Sequence, residues 1–191
     1  MEPGVDPHKW RLSSSGISSM KDMAERSFWK SVKAIYHSPE LKAVGTAVIV
    51  GEKWGIPLFE EHSLRELESR MGYLEREVFI KRVGDHLEGK AEDHLLESFD
   101  VARHRIVTGL DRMLTKHRDR EESIAIVSHG RILTALYSHF LGRRLSRAEW
   151  LSIALPDISV VDYRDWTIRE GFLSESVQAN RSRGVGSGLT F

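Results

Sequence analysis

The stretch from Ile124 to Gly142 constrains the fold of this chain more than any other. Ile124-Ala125-Ile126-Val127 predicts a buried strand, over about 123–128, of the kind found in parallel sheets. It runs through Ser128 and His129 into Gly130 and then an amphipathic helix over 130–141. Parallel sheets place ligands beyond the carboxyl ends of their strands, and His129 lies just past such an end. Ser128 is placed to cap the helix, and the amides of Gly130 and Arg131 are expected to point outward. A helix N-terminus of this kind favours phosphate or carboxylate, and Gly130 lets a ligand approach the backbone. Spacing alone equally allows His129 to be a capping or core histidine.

The rest of the chain suits one α/β domain. Its 191 residues are enough for a sizeable core, and strands alternate with helices. The expected architecture is an open, mostly parallel sheet with helices on both faces, spanning residues 1–175. Residues 176–191, rich in Ser, Arg, Gly and Asn, are expected to form a mobile tail. Predicted helices cover 16–31, 38–54, 97–118 and 130–141, with a short one at 145–151 capped by Ser146. Predicted strands cover 32–36, 56–59 and 123–128, with a strand pair at 158–163 and 166–169. Residues 60–96 read as a polar insertion, irregular or helical.

Lysines plus arginines equal aspartates plus glutamates at 28 each, so overall charge points to neither nucleic acid nor membrane as partner. The absence of cysteine excludes disulfides and thiolate chemistry. No apolar run approaches the ~20 residues of a membrane span, and the N-terminus has no secretory pattern. A cytoplasmic protein is the expectation. His86 and His94 flank a charged run without further ligands at metal spacing, so no metal site is expected and both read as solvated. His37 reads as a turn residue, and His104 and His117 as structural.

Several motifs in a fixed order resemble the histidine phosphatase superfamily, the phosphoglycerate mutase-like phosphatases and mutases. Ile124 to Gly142 resembles the family's second histidine motif. Tyr36-His37-Ser38-Pro39-Glu40-Leu41-Lys42-Ala43-Val44-Gly45-Thr46-Ala47 resembles its second-strand motif. Leu64-Arg65-Glu66 falls where the family carries an acid, and Leu155-Pro156-Asp157-Ile158-Ser159-Val160 resembles its late strand entry. The resemblance implies hydrolysis or transfer of phosphomonoesters through a phosphohistidine, with no metal or organic cofactor. It makes His129 a phosphate-pocket histidine, Glu66 the proton donor (Glu68 is the neighbouring alternative) and Lys42 a phosphate-binding cation, with Gly130 beside them. Lysine at 42 departs from the family's arginine, a point charge in place of a planar fork. The implied partner is a phosphorylated small molecule or phosphate itself.

A larger departure lies at the start. The family's first strand ends in Arg-His-Gly, and no such strand precedes the match here. His8, in a proline-flanked loop, is not expected to replace that nucleophile. Without this central strand its neighbours should have exposed edges, which leaves pairing with a second copy open while the oligomeric state itself is not legible. Three accounts compete: the protein begins upstream, the member binds an anion without turning it over, or another segment or copy fills the gap. The first two are preferred. On any of them His129 is a holder of phosphate, and a non-catalytic phosphate-binding or protein-interaction module is the alternative function.

Overall fold

The computed structural model describes residues 7–117 and 122–173. The tail expected at 176–191 lies outside them. A 3-10 turn at Pro7–Lys9 leads to α1 (Ser14–Met23), which Ser13 caps by accepting the Gly16 N–H at 3.0 Å. This helix stops well short of the predicted residue 31. Trp29 folds back so that its indole N–H donates to Met23 O, and Trp54 donates to Ala24 O. Two indoles thereby satisfy carbonyls that a longer helix would have used. Residues Ser27–Ser31 form a 3-10 turn instead.

The central sheet follows. β1 (Val32–His37) leads into α2 (Leu41–Trp54), closed by Gly55 at φ +65°. β2 (Leu58–Glu60) starts later than predicted because the Ile56 N–H still bonds to Gly51 O of α2. The polar insertion contains α3 (Arg76–Glu88), and α4 (Phe99–Thr115) brings its predicted apolar stripe inward at Phe99, Ala102, Ile106, Leu110 and Leu114. β3 (Ser123–Val127) and α5 (Gly130–Leu141) lie as predicted. α6 (Arg147–Leu151) begins with a capping box of Ser146 and Glu149. A hairpin of β4 (Val160–Asp162) and β5 (Thr167–Glu170) completes the described fold.

The three main strands are parallel in the order β2-β1-β3. Apolar clusters cover both faces. Ala34 and Tyr36 of β1 belong to the cluster of α4 and α5, whereas Ile35 joins that of α1 and α2. A register shift between Val32 and Ala34 explains why Val32, two residues from Ala34, packs with Ile35. An extra residue in a strand reverses the alternation beyond it.

β1 is almost entirely buried, but β3 is only partly so. Among the described residues β3 has no strand on its outer side, and none precedes β1. The hairpin forms a separate sheet, attached to α5 through Ile168 and Phe172 against Tyr137.

Candidate phosphate site

Register places the site. His37 pairs with Glu60 on one side and Val127 on the other, so the three strands end level. The chain continues from those ends into Ser38, Glu61 and Ser128. The Ser38 N–H donates to Val127 O at 3.0 Å, and the Glu61 N–H donates to His37 O at 2.9 Å. These bonds draw the segments 38–42, 61–67 and 128–132 together at the carboxyl end of the sheet.

His129 is the N-cap of α5, with extended backbone and no capping bond from its side chain. Ser128 does not cap the helix as predicted: His129 is the N-cap, and the Ser128 hydroxyl donates to Leu64 O at 2.7 Å. The cap comes from another segment. Glu66 Oε1 accepts the Ile132 N–H, the third amide of α5, at 2.9 Å and the Leu67 N–H at 2.8 Å. Its Oε2 lies 3.2 Å from Arg131 Nε. Burial of Glu66 favours protonation, but Arg131, His129 and the two amides outweigh it and hold the carboxyl below its usual range. Glu66 is therefore an ionised acceptor in this arrangement.

The imidazole of His129 is 5% exposed, and its Nε2 shares a 2.7 Å hydrogen bond with Ser38 Oγ. Ser38 Oγ also accepts the Glu40 N–H at 3.2 Å. Burial depresses the His129 pKa despite the nearby Glu66 and Glu40, so the ring is neutral near pH 7. Beside it the Glu40 carboxylate, 3% exposed, gathers polar groups. Its Oε1 accepts the Glu66 N–H at 2.8 Å and lies 3.4 Å from His129 Nε2 and 3.3 Å from His8 Nδ1. Lys42 Nζ stands 3.0 Å from Oε2 in an ion pair, although that oxygen makes no aligned hydrogen bond. Burial pushes the Glu40 pKa up; His129, the Glu66 amide and Lys42 together bring it below normal.

The structure thus gathers Lys42, Glu66, His129 and Gly130, the residues singled out from sequence, turns the side chain of Arg131 onto Glu66 rather than into water, and adds Ser38, Glu40 and His8. Ser38-Pro39-Glu40 reads as a helix start. The helix begins at Leu41, and Glu40, its N-cap, turns its carboxylate into the site. Nothing in the local pattern distinguishes that orientation from an ordinary first-turn acid. His8 lies in an irregular stretch, and only the tertiary fold carries it to Glu40. A side chain at Gly130 would meet nothing nearer than Trp150 Nε1 at 3.9 Å, so packing does not require glycine there.

Other expectations divide. His86 is buried rather than solvated: its Nε2 bonds Glu97 O, and its Nδ1 accepts the Asp93 N–H. The loop after α3 folds back over it. His94 is exposed, and His117 is held between Tyr36 and Glu122. Among the described residues no group of three or more His, Asp and Glu could hold a metal ion, and no helix is long and apolar enough to cross a membrane. A groove of about 270 Å³ lined by His62, Arg65, His104 and Arg112 flanks Ser63 rather than His129, and Glu61 and Glu97 pair with its arginines.

The fold is the phosphoglycerate mutase-like α/β fold of histidine phosphatases. Solved structures resembling it include Bacillus stearothermophilus YhfR (22% identity, TM-score 0.66, covering 84% of this chain and 82% of that one). The Shigella flexneri alpha-ribazole phosphatase shares 16% identity at a TM-score of 0.64, over 98% of this chain and 92% of that one. The mycobacterial glucosyl-3-phosphoglycerate phosphatase Rv2419c, in complex with inorganic phosphate, shares 22% identity at 0.60, over 75% and 74%. Comparison with curated proteins finds no match. The model of the histidine phosphatase superfamily (branch 1) matches residues 5–172, and the chain belongs to that superfamily.

Proposed function

We propose that this chain binds the phosphoryl group of phosphomonoesters at the carboxyl end of its sheet. His129, Lys42 and the backbone around Gly130 hold the anion, and phosphoryl transfer or hydrolysis through a phosphohistidine is the chemistry the site descends from. One observation carries the reading: a histidine ring, a lysine and a main-chain N–H converge on a single buried carboxylate at the N-terminal end of α5. A constellation that holds one oxyanion inside the protein has the donors to hold another. Glu66 fixes the end of α5 and the direction of Arg131. As the proton donor it would first have to take up a proton, which an approaching phosphate dianion favours by raising its pKa.

A second reading, a phosphate-binding module without turnover, is favoured by the neutral, hydrogen-bonded His129. One pair of measurements separates the two. Titration calorimetry of inorganic phosphate should give binding that His129→Ala weakens at least tenfold. Hydrolysis of p-nitrophenyl phosphate, with acid-quench trapping of phosphohistidine, then decides about turnover. Phosphate binding without turnover selects the module. Turnover with a trapped phosphohistidine selects the enzyme, and a folded chain with neither turnover nor binding at high phosphate concentration rules out both.

A further inference from the structure

The buried carboxylate of Glu40 is costly to explain as a stabilising group. It is 3% exposed, and Oε2 makes no aligned hydrogen bond. Nearby, Arg131 Nη1 is a buried donor that also lacks a partner. Buried ionic groups with unfilled hydrogen-bonding capacity add little to stability. The surroundings of Glu40 have another character. The Glu66 N–H, two imidazole nitrogens and an ammonium reach its two oxygens from four different segments of structure: the 61–67 segment, α5, the turn at His8 and α2. Such a spread of donors suits the several oxygens of a tetrahedral anion better than a planar group with two.

We propose that the Glu40 carboxylate occupies the oxyanion seat of this site, so that a phosphate ligand binds by displacing it. This rests on the phosphate-site reading above and adds its regulation. Glu40 acts as an internal competitor: it keeps Lys42, His8 and His129 together without ligand and weakens binding of every anion that must expel it. A ligand then needs either high local concentration or further contacts outside the seat to compete with a tethered carboxylate. Small inorganic anions bind weakly to the native chain, and larger phosphomonoesters with contacts along the 61–67 segment bind better.

The test is calorimetric titration of the full chain and its variants with inorganic phosphate, with circular dichroism to confirm folding. Glu40→Gln keeps the size and removes the charge; Glu40→Ala also opens the space. Both should bind phosphate at least tenfold more tightly than wild type. Glu60→Gln removes an exposed carboxylate outside the seat and should leave affinity within twofold, which separates displacement from a general loss of negative charge. Should one Glu40 variant fail to fold, the other carries the comparison. Unchanged or weaker binding by a folded Glu40 variant, beside measurable wild-type binding lost in His129→Ala, overturns the displacement and leaves the phosphate site standing. Equal gains in the Glu40 and Glu60 variants also overturn it. No binding by wild type or by folded Glu40→Ala overturns the phosphate site itself.

Discussion

Two buried ionic networks lie side by side in this molecule and are built to different standards. In one, Arg105 of α4 grips Glu97 with two nitrogens at 3.0 and 2.6 Å, while its remaining nitrogen donates to Ser63 O and Arg65 O. Glu97 also accepts the Glu68 N–H. Neither the Arg105 guanidinium nor the Glu97 carboxylate has an atom among the buried unpartnered groups. In the other, around His129, Glu40 Oε2 and Arg131 Nη1 are left without hydrogen bonds. The first network ties the 61–68 segment to α4. The second uses that tethered segment as one wall and keeps spare capacity. The charged groups of the clamp are fully paired, whereas those around His129 keep hydrogen-bonding capacity to spare.

Breaking the clamp should have the largest effect. Arg105→Ala leaves Glu97 buried without its main partner and two carbonyls unpaired, and should cost about 3–5 kcal/mol of stability in urea unfolding. A loss under 1 kcal/mol would make the two networks equivalent. Glu66 sits between the two categories, since it caps α5 and also neutralises Arg131. Glu66→Gln keeps an acceptor for the amides but removes the charge, with an expected loss of about 2–3 kcal/mol.

Acid sharpens the comparison next. The carboxyls of Glu40, Glu66 and Glu97 are all held below their normal range, so their contribution is present above the unfolded value of about 4.3 and lost as pH falls through the folded values. His129, depressed by burial, takes up protons more readily when unfolded, and so lowers stability from about pH 6.5 downward. Unfolding free energy should therefore decline in two stages on acidification, and His129→Gln should remove only the upper stage. A profile unchanged by that substitution would place the ring in a solvent-like environment. The smallest effect on stability belongs to Gly130→Ala, within about 0.5 kcal/mol because a methyl group has room there. It should nonetheless weaken phosphate binding if the ligand approaches that backbone closely.

Local pattern carried far where the physics is local. The run Ile124–Val127, the stripe on α4 and the capping box at Ser146 each depend on neighbours in sequence, and each lies where expected. Pattern was weaker where distant groups compete for the same atoms. Trp29 and Trp54 end α1 by taking its carbonyls, and the end of α5 is capped by Glu66 from another segment while the Ser128 hydroxyl turns to Leu64 O. His86 looked solvated amid charged residues, yet the loop after α3 folds over it.

The site shows the same division. His129 was accessible from its position between strand and helix, while Glu66 and Lys42 needed the family motif as well. Glu40, beside the second-strand lysine, and His8, more than thirty residues before α2 begins, carried no local sign of their role. Sequence by itself determined the alternation of strands and helices, the parallel sheet and the histidine at its carboxyl end, because burial periodicity and turn residues act over a few positions. Only the tertiary structure decided which charges face one another there. Pairing between groups far apart in the chain depends on strand register, and register brought His8, Glu40, Lys42 and Glu66 to the ring of His129.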